Sequence, residues 1–265
     1  MKFIRGLVGC YIFLHMALLP AQESKICSSH DCYSIIEQIG VGAFSNVFSA
    51  ENLQKEKFAL KTFVNIHESC PLENDPEREF LIGTTLKSPN IVKPLDFFST
   101  TSSDGSVSHY LVYPLIEGIT LRSIKKGDLL HWQAKRILTQ LFSALSYAVS
   151  QGKLYTDLHG ENILITPNFD VMIIDLGSFY TVEEMLNFFF QNKSMTEKGA
   201  FIYYSEIATE FFIGIIKKSN LERTKKLDLC AEFKKIAWNF QEDIEEGKDV
   251  SIDDCFDRFL FLLNE

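Results

Sequence analysis

Three polar residues at fixed spacing could carry chemistry: Asp157, Asn162 and Asp175. Asp157 stands five residues before Asn162 in a short polar loop, Tyr155-Thr156-Asp157-Leu158-His159-Gly160-Glu161-Asn162. Two apolar runs follow, Ile163 to Ile165 and Val171 to Ile174, with Pro167-Asn168 between them; the second ends on Asp175-Leu176-Gly177. Short runs joined by a Pro-Asn turn read as a hairpin. A hairpin folds Asn162 and Asp175 back to one mouth, where two carboxylates and an amide converge. Such a set can orient a hydroxyl and hold Mg²⁺, a hard cation that takes oxygen ligands and substrate phosphates.

The segments upstream must position that mouth. Tyr33 to Ile39 is extended and runs into Gly40-Val41-Gly42-Ala43-Phe44-Ser45-Asn46-Val47, a hairpin whose second strand begins near Asn46. Gly40 and Gly42 let the backbone approach a ligand closely, so that N–H groups can point at phosphate oxygens. Phe58-Ala59-Leu60-Lys61 alternates in a strand that continues to Phe63. Asp75-Pro76 opens a helix, with Asp as cap, Pro at the first position and acids in the first turn. Val92 to Phe98 and His109 to Tyr113 read as two further strands around an exposed Ser/Thr/Gly loop, Ser99 to Ser108. Leu129 to Ser150 reads as a long amphipathic helix with Trp132, Ile137, Leu141, Leu145 and Ala148 as its core stripe.

At 265 residues, 46% hydrophobic and 23% charged, the chain has room for one two-lobed domain. A net charge of −9 and no basic run argue against nucleic acid as a partner. Phe is abundant (23) and Trp scarce (2), which suggests a biased source composition more than a function. In residues 1–21, Lys2 and Arg5 precede an uncharged stretch that ends at Pro20-Ala21, the order of a secretory signal or anchor. The stretch is short for a bilayer span, so none is expected in the mature chain. The alternatives are a mis-assigned start or an extra helix packed on the domain. A leader implies the secretory pathway or the outside of the cell; without one the protein is intracellular. Cys27 and Cys32 could pair in an oxidising compartment, and Asn192-Lys193-Ser194 would then be a glycosylation sequon.

Taken in order, these motifs resemble the protein-kinase superfamily. The resemblance implies an α+β, bilobal fold: an N-lobe of antiparallel sheet plus one helix (33–113), a hinge (114–118) and a short, mostly helical C-lobe (119–265). It implies ATP and Mg²⁺ as cofactors, a protein substrate and a monomer. Asp157 becomes the base, and Asn162 with Asp175 the metal ligands. Ile39, Gly40, Val41, Gly42, Ala43, Phe44, Ser45, Asn46 and Val47 become the loop over the phosphates, with Ser45 where a third glycine often stands. Lys61 matches the strand lysine on the α- and β-phosphates, and Glu79, ten residues before Ser88-Pro89-Asn90-Ile91-Val92, its ion-pair partner. Tyr113 matches the gatekeeper, while Pro114 through its carbonyl and Ile116 through its N–H and C=O would meet the adenine edge. Lys198 to Glu206 resembles the anchor of the activation segment, with Arg258 as partner of Glu206 and Asp228 as brace of the catalytic loop.

The departures carry information. Thr156 replaces the arginine that clasps an activation-loop phosphate, so activity should not depend on phosphorylation there. His159 stands where serine/threonine kinases carry lysine; it either contacts the γ-phosphate or braces its own loop. Asp-Leu-His-Gly is similar to haspin-type kinases and to aminoglycoside and other small-molecule kinases. Transfer to Ser/Thr hydroxyls of proteins is therefore the leading reading. A small-molecule phosphotransferase and a pseudokinase scaffold stay open beside it.

Overall fold

In the computed structural model, residues 25–42, 45–63, 75–189 and 196–264 are described. The leader-like residues 1–21, Ala43, Phe44 and the 192–194 sequon lie outside them. Alternating apolar residues build the first half into a six-stranded antiparallel sheet: β1 (Ile26–Cys27), β2 (Cys32–Val41), β3 (Ser45–Glu51), β4 (Lys57–Phe63), β5 (Asp96–Thr101) and β6 (Val107–Pro114). Their spatial order is β1-β2-β3-β4-β6-β5. A Cys27–Cys32 disulfide closes the β1–β2 turn. One sheet face buries Tyr33, Ala50, Leu60 and Val112. The other, through Phe63, Leu111 and Tyr113, joins the main core.

The helix α1 (Pro76–Thr85) covers that second face. Asp75 caps it by accepting from the Arg78 N–H at 3.0 Å, and Pro76 sits at its first position. The strands flanking the Ser/Thr/Gly loop run further into it than the composition suggests, narrowing the connection to 102–106. Strand β5 also starts at Asp96, well after Val92. Val92 instead donates to the Ile173 carbonyl at 2.9 Å, in a parallel bridge between Ile91 and Ile173.

The second half is helical around α2 (His131–Ser150), with β7 (Ile119–Thr120), β8 (Leu154–Tyr155), β9 (Ile163–Ile165), β10 (Val171–Ile173) and β11 (Phe179–Tyr180) at its edge. The helices α3 (Val182–Phe189), α4 (Glu197–Lys218), α5 (Arg223–Glu245) and α6 (Ile252–Asn264) complete it. Phenylalanine holds this lobe together. Phe142 on α2 lies 4.3 Å from Phe212 on α4, and Phe233 on α5 stacks at 4.6 Å on Phe259 of α6. By length and apolarity α4 could cross a membrane; here Tyr204, Ala208, Phe212, Ile213, Ile215 and Ile216 are buried in the core.

Four readings of the helical half need correction. Trp132 is 54% exposed, outside the α2 core stripe, and packs edge-on against Phe169, because its helical position faces the β9–β10 turn. Lys198 to Glu206 forms no separate anchor, since that stretch is the start of α4 and Glu206 is exposed. Arg258 pairs with Asp243 on α5 at 3.2 Å, the carboxylate that α5–α6 packing brings beside it. Asp228 lies exposed on α5 and accepts no hydrogen bond from the loop 155–162 among the described residues.

Candidate active site

The β9–β10 hairpin pairs Ile163 with Ile173, and the Ile174 N–H donates to the Asn162 carbonyl at 3.0 Å. Asn162 and Asp175 therefore flank the same end of the hairpin. The loop before it is fixed from below. Tyr155 on β8 pairs with Phe179 on β11, and Thr156 donates through N–H and hydroxyl to the Ser178 carbonyl (3.0 and 3.2 Å). Gly160 is required by close approach: its carbonyl accepts from Arg122 N–H, and a Cβ there would lie 2.7 Å from that nitrogen.

Within the loop, Asp157 Oδ2 accepts from Asn162 Nδ2 at 2.8 Å and from His159 Nε2 at 3.0 Å. His159 Nδ1 accepts the Glu161 N–H at 3.2 Å, which assigns the proton to Nε2 and makes it the donor to Asp157. His159 thus braces its own loop. Two donors on Oδ2 leave Oδ1 of this half-exposed carboxylate to meet a hydroxyl. Asn162 Nδ2 also reaches the Asp157 carbonyl, at 3.2 Å, so Oδ1 is the amide atom left for a cation.

Across the cleft, Lys61 shares its strand face with Ala59 and Phe63, towards α1, and is 9% exposed. Its Nζ donates to Glu79 Oε2 and Oε1 (2.7 and 2.9 Å) and to Asp175 Oδ1 (3.1 Å). Tyr113 donates its hydroxyl to Glu79 Oε1 at 2.6 Å. Burial opposes the Lys61 charge, but the Asp175 and Glu79 carboxylates outweigh it and hold its pKa above the ordinary lysine value. Burial pushes the Glu79 carboxyl up against the pull of Lys61. It opposes charge on Asp175 too, yet Lys61 holds that carboxyl below its usual range. Burial, then Glu79, keeps the Tyr113 hydroxyl protonated.

The donor set suits Mg²⁺. Asp175 and Asn162 offer hard oxygen atoms at one end of the hairpin. A cation held by few protein oxygens and completed by phosphates is the Mg²⁺ pattern. The glycine turn lies over this cleft end of the sheet: Gly40 opposes Val47, Val41 opposes Asn46, and Gly42 N–H donates to the Ser45 carbonyl at 2.7 Å. Ile39 and Val41 are exposed along its lip. Strand β6 ends at Pro114, beyond which the Ile116 N–H and C=O make no hydrogen bond among the described residues.

Sequence reasoning missed three contributors. Arg78, beside Glu79 on α1, donates to the Gly177 carbonyl (2.8 Å) and the Phe179 carbonyl (2.5 Å) and pairs with Glu184 (3.3 Å). Glu184 itself was visible as the fourth residue of Thr181-x-x-Glu184, a capping-box pattern. Gly83 on α1 sits so close to Leu176 that a Cβ would lie 2.6 Å from its Cδ1. No spacing in the sequence announces that contact.

Comparison with known proteins bears on the same residues. The protein kinase domain family matches residues 33–205. A probable serine/threonine-protein kinase KIN1 homolog of Enterocytozoon bieneusi is 30% identical over 164 residues, 59% of this chain and 26% of that protein. Protein kinase kin1 of Schizosaccharomyces pombe is 28% identical over 180 residues, 60% of this chain and 19% of that protein. Serine/threonine-protein kinase PknH of Mycobacterium bovis is 31% identical over 161 residues, 59% and 26% of the two chains. The matched region spans about a quarter or less of each of these relatives. With the matching family covering well over half of its length, the chain belongs to the protein kinases.

Proposed function

We propose that the protein transfers the γ-phosphoryl group of ATP to Ser/Thr hydroxyls of protein substrates. Lys61 carries the reading: a buried ammonium held between Glu79 and Asp175, where a nucleotide's phosphates need positive charge. Asp157 orients and deprotonates the attacking hydroxyl through Oδ1, while Asn162 and His159 fix its rotamer through Oδ2. Asn162 and Asp175 would hold Mg²⁺, which would neutralise phosphate charge. The loop from Ile39 to Val47 covers the phosphates with its N–H groups, and Pro114 and Ile116 meet the adenine edge with backbone atoms. The serine/threonine-kinase names of the relatives support the acceptor class.

The test is radiolabel transfer from γ-labelled ATP with Mg²⁺ to generic acceptor proteins. Wild type should label acceptor serine or threonine. Asp157→Ala should lose about 10²–10⁴-fold in rate, the range of general-base removal, and Asp175→Ala should be inactive. Label on small molecules alone, or none despite ATP binding, would sink the reading. The Cys27–Cys32 disulfide favours an oxidising compartment and hence the leader reading of residues 1–21; N-terminal sequencing of the mature protein decides that point.

A further inference from the structure

Resting on that reading, we infer that Glu184 is a positioning residue. Its carboxylate does permanently what a phosphate does in kinases switched on by phosphorylation, holding α1, and with it Glu79, in the pose that pairs Lys61. Thr156 leaves the catalytic loop without a cation to grip a phosphate. The cation instead comes from α1. Arg78 spreads its guanidinium over three acceptors of the segment that follows Asp175: the Gly177 carbonyl at 2.8 Å, the Phe179 carbonyl at 2.5 Å and the Glu184 carboxylate at 3.3 and 3.4 Å. It also lies 4.8 Å from the Tyr180 ring centroid. Only a planar fork of five donors satisfies such a set.

Glu184 joins the two lobes. From the N-lobe it receives Arg78; from the C-lobe it receives Lys153 Nζ at 3.4 Å and the Thr181 N–H at 2.6 Å. Thr181 Oγ1 accepts the Glu184 N–H at 3.0 Å in return, so the carboxylate is pinned by a reciprocal helix cap. Arg78 and Glu79 are consecutive on one rigid helix. Fixing the first against the segment from Gly177 to Glu184 fixes the second against Lys61. The negative charge is written into the chain and needs no modifying enzyme.

The experiment uses the full chain and compares wild type with Glu184→Gln. Glutamine still accepts at the cap but no longer offers charge to Arg78 and Lys153. We expect kcat to fall about tenfold with the KM for ATP within about twofold, a loss of correct positioning at retained ground-state binding. Hydrogen exchange should quicken in α1 and in residues 177–186, and phosphatase treatment should leave the wild-type kcat unchanged. Arg78→Lys, which keeps the charge without the fork, should give the same pattern and serves if Glu184→Gln does not fold. An unchanged kcat overturns the inference, as does a reduced kcat with α1 exchange unaltered, or a wild-type kcat lost to phosphatase. A wild type that transfers no label sinks the proposed function instead, while α1 exchange still decides whether Glu184 holds the helix.

Discussion

Glu79 is fully buried, and its charge stands only because three hydrogen bonds meet it: two from Lys61 and one from Tyr113. The Tyr113 hydroxyl is thus part of the ion-pair site. A hydrogen bond to a buried charge is worth about 1.5–3 kcal/mol, and losing it leaves the carboxylate under-solvated. Tyr113→Phe should therefore lower stability in urea unfolding by about that much. The Lys61–Glu79 pair remains, so the KM for ATP should move by less than about threefold, since the phosphate contact proposed for Lys61 is not removed. An unchanged midpoint would mean that the hydroxyl carries no load. At this scale the sequence was eloquent about Asp157, Asn162, Asp175, Lys61 and Glu79, because residue type and order suffice to suggest them. It was silent on which oxygen of Asp157 is occupied and on the Tyr113 contact, because rotamers depend on tertiary neighbours. The two readings of His159 needed the Glu161 N–H, a backbone atom that no residue pattern displays.

Helix α1 was legible from Asp75-Pro76, but its docking was not. Gly83 shows why. In an exposed helix, glycine to alanine stabilises by up to about 1 kcal/mol through backbone entropy. Here a Cβ would lie 2.3 Å from Pro94 Cδ and 2.6 Å from Leu176 Cδ1. Overpacking of that kind costs about 1–3 kcal/mol and outweighs the propensity gain. Gly83→Ala should destabilise the protein, and because Leu176 adjoins Asp175, kcat should fall as α1 is pushed outwards. Thermal unfolding with a kinase assay checks both signs; a more stable and fully active variant would show that the helix has slack. The helical half misled the sequence reading for a related reason. Glu206, Asp228 and Arg258 were assigned by resemblance to the kinase anchor and the helix that follows it in order, yet α4 takes in the first, α5 exposes the second and Asp243 captures the third. Order predicts partners only where the intervening elements keep their expected lengths.

The whole molecule rests its site on two supports. Behind the cleft, Asn90 Nδ2 donates to Gln140 Oε1 at 2.7 Å and to the Val171 carbonyl at 2.8 Å, tying the linker after α1 to α2 and to the β9–β10 hairpin. Below it, Phe142, Phe212, Phe233, Phe256 and Phe259 fuse α2, α4, α5 and α6 into one core. The phenylalanine richness that looked like composition alone therefore has a structural use in a short C-lobe. Phe259→Ala removes a fully buried ring and should cost about 3–5 kcal/mol, a large share of a typical domain's 5–15 kcal/mol margin. Because Asn90 and the Ile91–Ile173 bridge couple the lobes, that loss should not stay in the helices. Both tryptophans, Trp132 on α2 and Trp238 on α5, report the C-lobe, while amide exchange along β3 and β4 reports the N-lobe. In urea the variant's fluorescence midpoint should fall, and global exchange protection in β3 and β4 should fall by the same free energy. If exchange protection in the sheet is untouched while the fluorescence transition shifts, the lobes unfold separately. The site at their junction would then owe its geometry to the nucleotide rather than to the fold.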